Sequence, residues 1–166
     1  PSSAGGRPPH RRDIPAHDIP MHTHLMPEAS LQRRAMREPF TILIIDDDED
    51  QALVLCDRLE RQGYKTLSAN TGRLGQTMAE SLRPNLVLLD LRLPDMDGFD
   101  VCQRLSDAPE TSHIPVVILS GMERPDIIRR SRAAGCQYFV RKPYDPNALL
   151  ILVQQAIEES LNWQPI

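Results

Sequence analysis

From Phe40 onward the chain alternates five times between a short apolar run and a longer stretch with helical spacing, and nothing else in it constrains the fold as tightly. The apolar runs are 41–45 (TILII), 64–69 (YKTLSA), 86–89 (LVLL), 115–119 (PVVIL) and 137–140 (QYFV). Most are apolar throughout, as strands covered on both faces must be. Between them, residues 50–62 put Ala52, Leu55 and Leu59 on one stripe and end before Gly63. Residues 72–82 repeat Leu74, Met78 and Leu82 as a candidate buried stripe, and residues 98–106 carry Val101, Cys102 and Leu105. Residues 123–134 set Ile127 and Ile128 among four arginines and stop before Gly135. Asp145 as N-cap and Pro146 at the first helical position open a last helix, with Leu149, Val153 and Ala156 along one face. Strand and helix in strict alternation predict an α/β fold: a doubly wound, five-stranded parallel sheet with helices on both faces.

This pattern leaves residues 1–38 outside it. They are rich in Pro, His and Arg, carry no sustained apolar period, and read as a disordered tail ahead of a domain at 39–166. His22 and His24 in that tail have no further ligand beside them and make a poor metal site. Charge divides along the same line: six arginines against four acidic residues in the tail, 13 basic against 19 acidic residues in the body. An acidic body and no recognition module argue against direct nucleic-acid binding. No apolar run reaches the length of a membrane span, and the first residues lack the apolar core of a secretory signal. Cys56, Cys102 and Cys136, odd in number and set among apolar neighbours, read as reduced thiols of a cytoplasmic protein.

The first strand runs directly into five acids, Asp46, Asp47, Asp48, Glu49 and Asp50. Acids in a first helical turn complement the helix dipole, which accounts for the last three but does not require Asp46 and Asp47. A calcium loop of the EF-hand type counted from Asp46 would need Gly at 51 and Glu at 57; Gln51 and Asp57 stand there instead. Topology offers a better account. In doubly wound sheets ligands collect at the carboxyl ends of the strands. The third strand ends in Asp90, the fourth in Ser120, and the fifth leads to Lys142. Carboxylates brought together repel unless a cation lies between them, and hard oxygen ligands suit Mg²⁺ (or Mn²⁺) with room left for a phosphoryl oxygen. The hydroxyl and the ammonium are then partners for the other phosphoryl oxygens.

The stretch from Thr41 to about Leu161 resembles the receiver domain of two-component response regulators. The elements that carry the resemblance are IIDDDED, LVLLDLRLPDMDG, VVILSG and FVRKPY, in that order, with intervals of 44, 30 and 22 residues between Asp46, Asp90, Ser120 and Lys142. It implies a flavodoxin-like fold and a phosphorylation-controlled switch. By resemblance Asp90 is the phospho-accepting aspartate, Asp46 and Asp47 are the acidic pair that holds Mg²⁺, and the backbone carbonyl of Arg92 is the remaining protein ligand. Lys142 would neutralise phosphoryl charge, the Lys142–Pro143 peptide bond is expected to be cis, and Ser120 matches the switch hydroxyl. Pro94 and Gly98 match the loop after the acceptor. Phe139 stands where the family often has Tyr, so it can change rotamer but cannot make the hydroxyl bond; Tyr138 should face the other side of the sheet.

The implied donor is a phosphohistidine on a histidine kinase or a phosphotransfer protein. The implied output is a downstream protein partner, or a second copy of the chain, at the 123–161 face, where Arg124, Arg129, Arg130, Arg132 and Arg141 gather. The chain ends just past the last helix, which suits a stand-alone regulator or a receiver cut from a longer one. A phosphorylation-independent binding module with this fold is the alternative.

Overall fold

The computed structural model describes residues 38–162. The tail reading and the His22/His24 pair therefore lie outside the described residues, except for Glu38. Five strands, β1 (Thr41–Ile45), β2 (Lys65–Ala69), β3 (Leu86–Leu89), β4 (Val116–Ser120) and β5 (Tyr138–Arg141), form one sheet in the order β2-β1-β3-β4-β5. Every pairing is parallel. Five helices connect and close it: α1 (Glu49–Glu60), α2 (Gly72–Leu82), α3 (Gly98–Asp107), α4 (Ile127–Ala133) and α5 (Pro146–Asn162).

Strand alternation divides the apolar runs between two cores. Ile42, Ile44, Leu86, Leu88, Val117 and Leu119 pack with Ala52, Leu55 and Leu59 of α1 and Leu149, Val153, Ala156 and Ile157 of α5. Their neighbours Leu43, Ile45, Val87, Leu89, Val116 and Ile118 pack against α2, α3 and α4. The central strands are covered on both faces, which is why their sequences are apolar without alternation. Cys102 and Cys136 are buried, Cys56 is half-buried, and all three are free thiols. The hydrogen bond between Cys102 and Cys136, followed by burial, pushes the Cys102 thiol well above its ordinary range, so it packs as an inert apolar group.

Two expectations change. The candidate stripe on α2 is not the buried one: Leu74 and Leu82 are exposed, whereas Gly72, Gly75 and Ala79 are buried, Gly75 against Ile45 of β1 and Gly72 against Met96 and Val101, with Met78 partly buried. The helix lies too close to β1 for large side chains; a Cβ on Gly75 would fall 2.7 Å from Cγ1 of Ile45. The fourth helix begins at Ile127, not at 123. Pro125 disfavours a helical backbone at Arg124, and Ile127 is buried while Ile128 is exposed. Among the described residues no helix is long and apolar enough to cross a membrane.

Candidate functional site

The carboxyl ends of the three central strands and β5 deliver four polar side chains to one edge. The Asp46 amide extends the sheet by donating to Ala69 O at 3.0 Å, and the Asp90 amide donates to Ile45 O at 2.8 Å. Across the other half, the Lys142 amide donates to Ser120 O at 3.0 Å, and the peptide bond after it, to Pro143, is cis as expected. Ladder hydrogen bonds, not loops, thus fix where these side chains start.

Lys142 is the hub. Its ammonium donates to Asp90 Oδ2 at 2.9 Å, to Asp46 Oδ2 at 3.1 Å and to Gln51 Oε1 at 3.1 Å. Burial pulls the Lys142 pKa down, but the hydrogen bonds and charges of Asp90 and Asp46 outweigh it, and the net shift is upward. Burial raises the pKa of Asp46 above the usual carboxylate value, against the pull of the Asp48 amide and of Lys142. The Asp48 amide bonds Asp46 Oδ1 at 2.9 Å, which orients that carboxylate.

Asp46, Asp47 and Asp90 each bring a carboxylate oxygen within 4.8 Å of the others. Asp46 is buried, Asp90 is half-buried and Asp47 is exposed, so the cluster opens to solvent on one side. Asp47 makes no hydrogen bond or ion pair among the described residues, whereas Asp48 turns away to cap α1, accepting from Gln51 N at 3.0 Å. An all-oxygen set of this kind, one side open to water, fits a divalent hard cation. The loop after Asp90 is drawn tight beneath it. Arg92 N donates to Asp90 Oδ1 at 2.9 Å, Arg92 pairs with Asp97 as an antiparallel bridge, and Gly98 N donates to Leu91 O at 3.0 Å. Gly98 is required by this closure, because a Cβ there would lie 2.6 Å from Leu91 Cα. Asp95 anchors the loop to α2, accepting from Gly72 N at 2.8 Å and Arg73 N at 2.9 Å.

Ser120 is fully buried and its Oγ accepts from Met122 N at 3.1 Å, so the hydroxyl is tied to the loop that follows it. Phe139 is half-buried against the α2–α4 side, while Tyr138 packs on the opposite side and donates its hydroxyl proton to Glu159. Three of the five arginines near α4 are paired: Arg124 with Asp126 at 3.7 Å, Arg130 with Asp97 at 3.4 Å, and Arg141 with Glu123 at 2.6 Å. Arg129 and Arg132 have no ion-pair partner among the described residues.

Gln51 was not singled out from the sequence. The available signal was a polar side chain one helical turn after Asp47, at a position that faces the strand end. Beside it an apolar groove of about 310 Å³ opens between α1 and α5, lined by Val54, Leu55, Tyr144, Leu149 and Leu150.

The family model for the response regulator receiver domain matches residues 42–154. The polar-differentiation response regulator DivK of Brucella anthropi is 31% identical over 105 residues, covering 63% of this chain and 85% of DivK. The DNA-binding dual master transcriptional regulator RpaA of Synechocystis is 36% identical over 119 residues, which are 72% of this chain. Those residues are 49% of RpaA, so the chain spans about half the length of that relative. Among solved structures, a CheY-like response regulator receiver domain protein of Methanospirillum hungatei superimposes with a TM-score of 0.71 at 27% identity, covering 75% of this chain and 98% of that one.

Proposed function

The chain belongs to the response regulator receiver domain family, and from that premise we propose that Asp90 accepts a phosphoryl group from a phosphohistidine and that the modification switches a protein-interaction face. The observation that carries this reading is the Lys142 ammonium set between Asp90 and Asp46, at 2.9 and 3.1 Å, on the edge where three carboxylates meet.

In the proposed step a carboxylate oxygen of Asp90 attacks phosphorus. An O–P bond forms, the donor's N–P bond breaks, and its electron pair returns to the imidazole. Lys142 stands ready to meet the charge on the transferring group, at a place where no large reorganisation is needed. Receiver domains bind Mg²⁺ at an acidic pocket; here Asp46, Asp47, Asp90 and the backbone carbonyl of Arg92 would hold Mg²⁺ (or Mn²⁺), which neutralises phosphoryl charge when bound. Ser120 would turn its hydroxyl from Met122 N toward the new anion, drawing the following loop with it. Phe139 would follow by repacking, since it has no hydroxyl to bond.

Residues 39–166 act as the receiver in this reading and residues 1–38 as its tail, in a cytoplasmic protein. The donor is a histidine kinase or a phosphotransfer protein, and the 123–161 face meets a downstream protein or a second copy. The DNA binding in RpaA's name belongs to that longer protein; no direct nucleic-acid contact is proposed here. A phosphorylation-independent module is not favoured, because all the acids and the lysine are present and Lys142 engages two of the acids directly.

The test is intact-mass analysis after treatment with acetyl phosphate and Mg²⁺. One added phosphoryl group is expected on the wild-type chain and none on Asp90→Asn. Equal labelling of that variant would move the acceptor elsewhere.

A further inference from the structure

We infer that Gln51 is a positioning residue for Lys142, holding the ammonium so that one of its protons alone must change partner when Asp90 is phosphorylated. The inference rests on the reading of Asp90 as the acceptor.

A lysine ammonium has three protons and no acceptor capacity. In this structure all three have partners: Asp90 Oδ2, Asp46 Oδ2 and Gln51 Oε1. The third differs from the other two in being neutral. It holds the ammonium in place without cancelling the charge that the phosphoryl group needs.

The orientation of the Gln51 amide is not free. Its Nε2 donates to Asp48 Oδ2 at 2.7 Å, while the Gln51 backbone N–H donates to Oδ1 of the same carboxylate at 3.0 Å. A flipped amide would set its NH₂ against the Lys142 ammonium and its oxygen against the Asp48 carboxylate, two repulsions in place of two attractions. Asp48, the cap of α1, therefore selects the rotamer that presents Oε1 to Lys142. A glutamine three residues after a helix cap often folds back on the cap; what sets Gln51 apart is that the oxygen of the amide held there meets the Lys142 ammonium.

Phosphoryl transfer converts an Asp90 oxygen into the bridging oxygen of an acyl phosphate and so weakens one of the three acceptors. Asp46 and Gln51 remain as fixed anchors, and the released proton meets a phosphoryl oxygen. A group arranged in advance this way spends little on reorganisation at the transition state.

The experiment compares wild type, Gln51→Met, Gln51→Glu and Asp48→Ser for the initial rate of labelling by acetyl phosphate at saturating Mg²⁺, for Mg²⁺ affinity, and for thermal unfolding. Gln51→Met keeps the length but loses the acceptor; it should label about three- to tenfold more slowly, the equivalent of one solvent-exposed hydrogen bond of ordinary net strength. Its Mg²⁺ affinity and unfolding should stay at the wild-type values. Gln51→Glu keeps the acceptor but adds charge, and should be slower still. Asp48→Ser retains a helix cap but releases the amide, and should fall between wild type and Gln51→Met. Labelling of Gln51→Met and Gln51→Glu within about twofold of wild type overturns the inference, as does a loss of Mg²⁺ affinity in Gln51→Met that parallels the rate. A wild-type chain that takes no label defeats the acceptor reading itself, a different result from a labelled wild type with indifferent variants.

Discussion

Arg130 reaches from α4 to Asp97 at the head of α3, with its guanidinium 3.4 Å from the carboxylate and 4.3 Å from the centroid of the Phe99 ring. The same carboxylate caps α3, accepting from Phe99 N at 2.9 Å, and the Asp97 backbone pairs with Arg92 in the loop after Asp90. The loop that leaves the candidate acceptor is therefore in contact with α4. That helix has seven residues, and its N-cap Asp126 makes no side-chain capping bond. Small energies decide how often so short an element opens.

Asp97→Asn separates the two jobs of that carboxylate, since Asn also caps helices well. A partly exposed ion pair is worth at most about 1 kcal/mol, so global stability should hardly change. Amide exchange in α4 should quicken severalfold while α3 keeps its protection. Hydrogen-exchange mass spectrometry reads both, and unaltered exchange in α4 would mean that the pair does nothing for that helix.

Lys142→Met should destabilise the metal-free chain by about 1–3 kcal/mol, because Asp46 and Asp90 lose a shared cation and the first of them is buried. Mg²⁺ should restore part of the loss, since it offsets the same negative charge. Urea unfolding with and without Mg²⁺ checks this; a variant as stable as wild type without the ion would show that the carboxylates do not depend on the lysine.

The two neighbouring acids should separate cleanly. Asp47→Ala is expected to weaken Mg²⁺ binding by at least about tenfold with little change in stability, because its side chain has no other partner among the described residues. Asp48→Ala should cost about 1 kcal/mol as a lost helix cap, with Mg²⁺ affinity nearly intact. Calorimetric Mg²⁺ titration beside thermal unfolding would expose the reverse order.

On helical propensity alone, Gly75→Ala would stabilise α2 by about 1 kcal/mol. The structure predicts the opposite sign. A Cβ at that position would lie 2.7 Å from Cγ1 of the fully buried Ile45, so overpacking should cost about 1–3 kcal/mol. Ile45→Ala, destabilising by itself, should remove most of the penalty of Gly75→Ala in a double-mutant cycle. Additive effects would place the contact elsewhere.

Burial, followed by the hydrogen bond to Glu159 and its charge, pushes the Tyr138 phenol up to about 12 from its ordinary value of 10.0. The folded state thus favours the protonated phenol. Its contribution to stability is complete below the unfolded value and disappears as pH rises through the folded one. Phenolate absorbance should therefore develop late for Tyr138, earlier in Glu159→Gln, and lose that late component in Tyr138→Phe. A Tyr138 that titrates in the ordinary range would refute the bond.

What the sequence determined by itself was the order of elements and which polar residues stand at the strand ends. The runs of β1, β3 and β4 are nearly all apolar because a central strand buried on both faces admits almost no polar residue, whereas β2 and β5, at the edges of the sheet, are only partly buried and carry polar residues. Asp46, Asp90 and Lys142 were legible because each stands where such a run gives way to polar residues at the carboxyl edge. Asp145 also behaves as read, accepting from Asn147 N at 2.8 Å at the start of α5. The tertiary structure alone decided which face α2 buries: the four-residue spacing of Leu74, Met78 and Leu82 describes a stripe, but Gly72, Gly75 and Ala79 are the buried residues, and the closeness of Ile45 leaves no room for a side chain at Gly75. It also decided that Lys142 has Gln51 as a third partner and that Arg130 spends its charge on Asp97. Period and composition act over a few residues of chain, whereas these contacts depend on how near two elements approach and on where long side chains end, distances set only when the whole sheet is assembled.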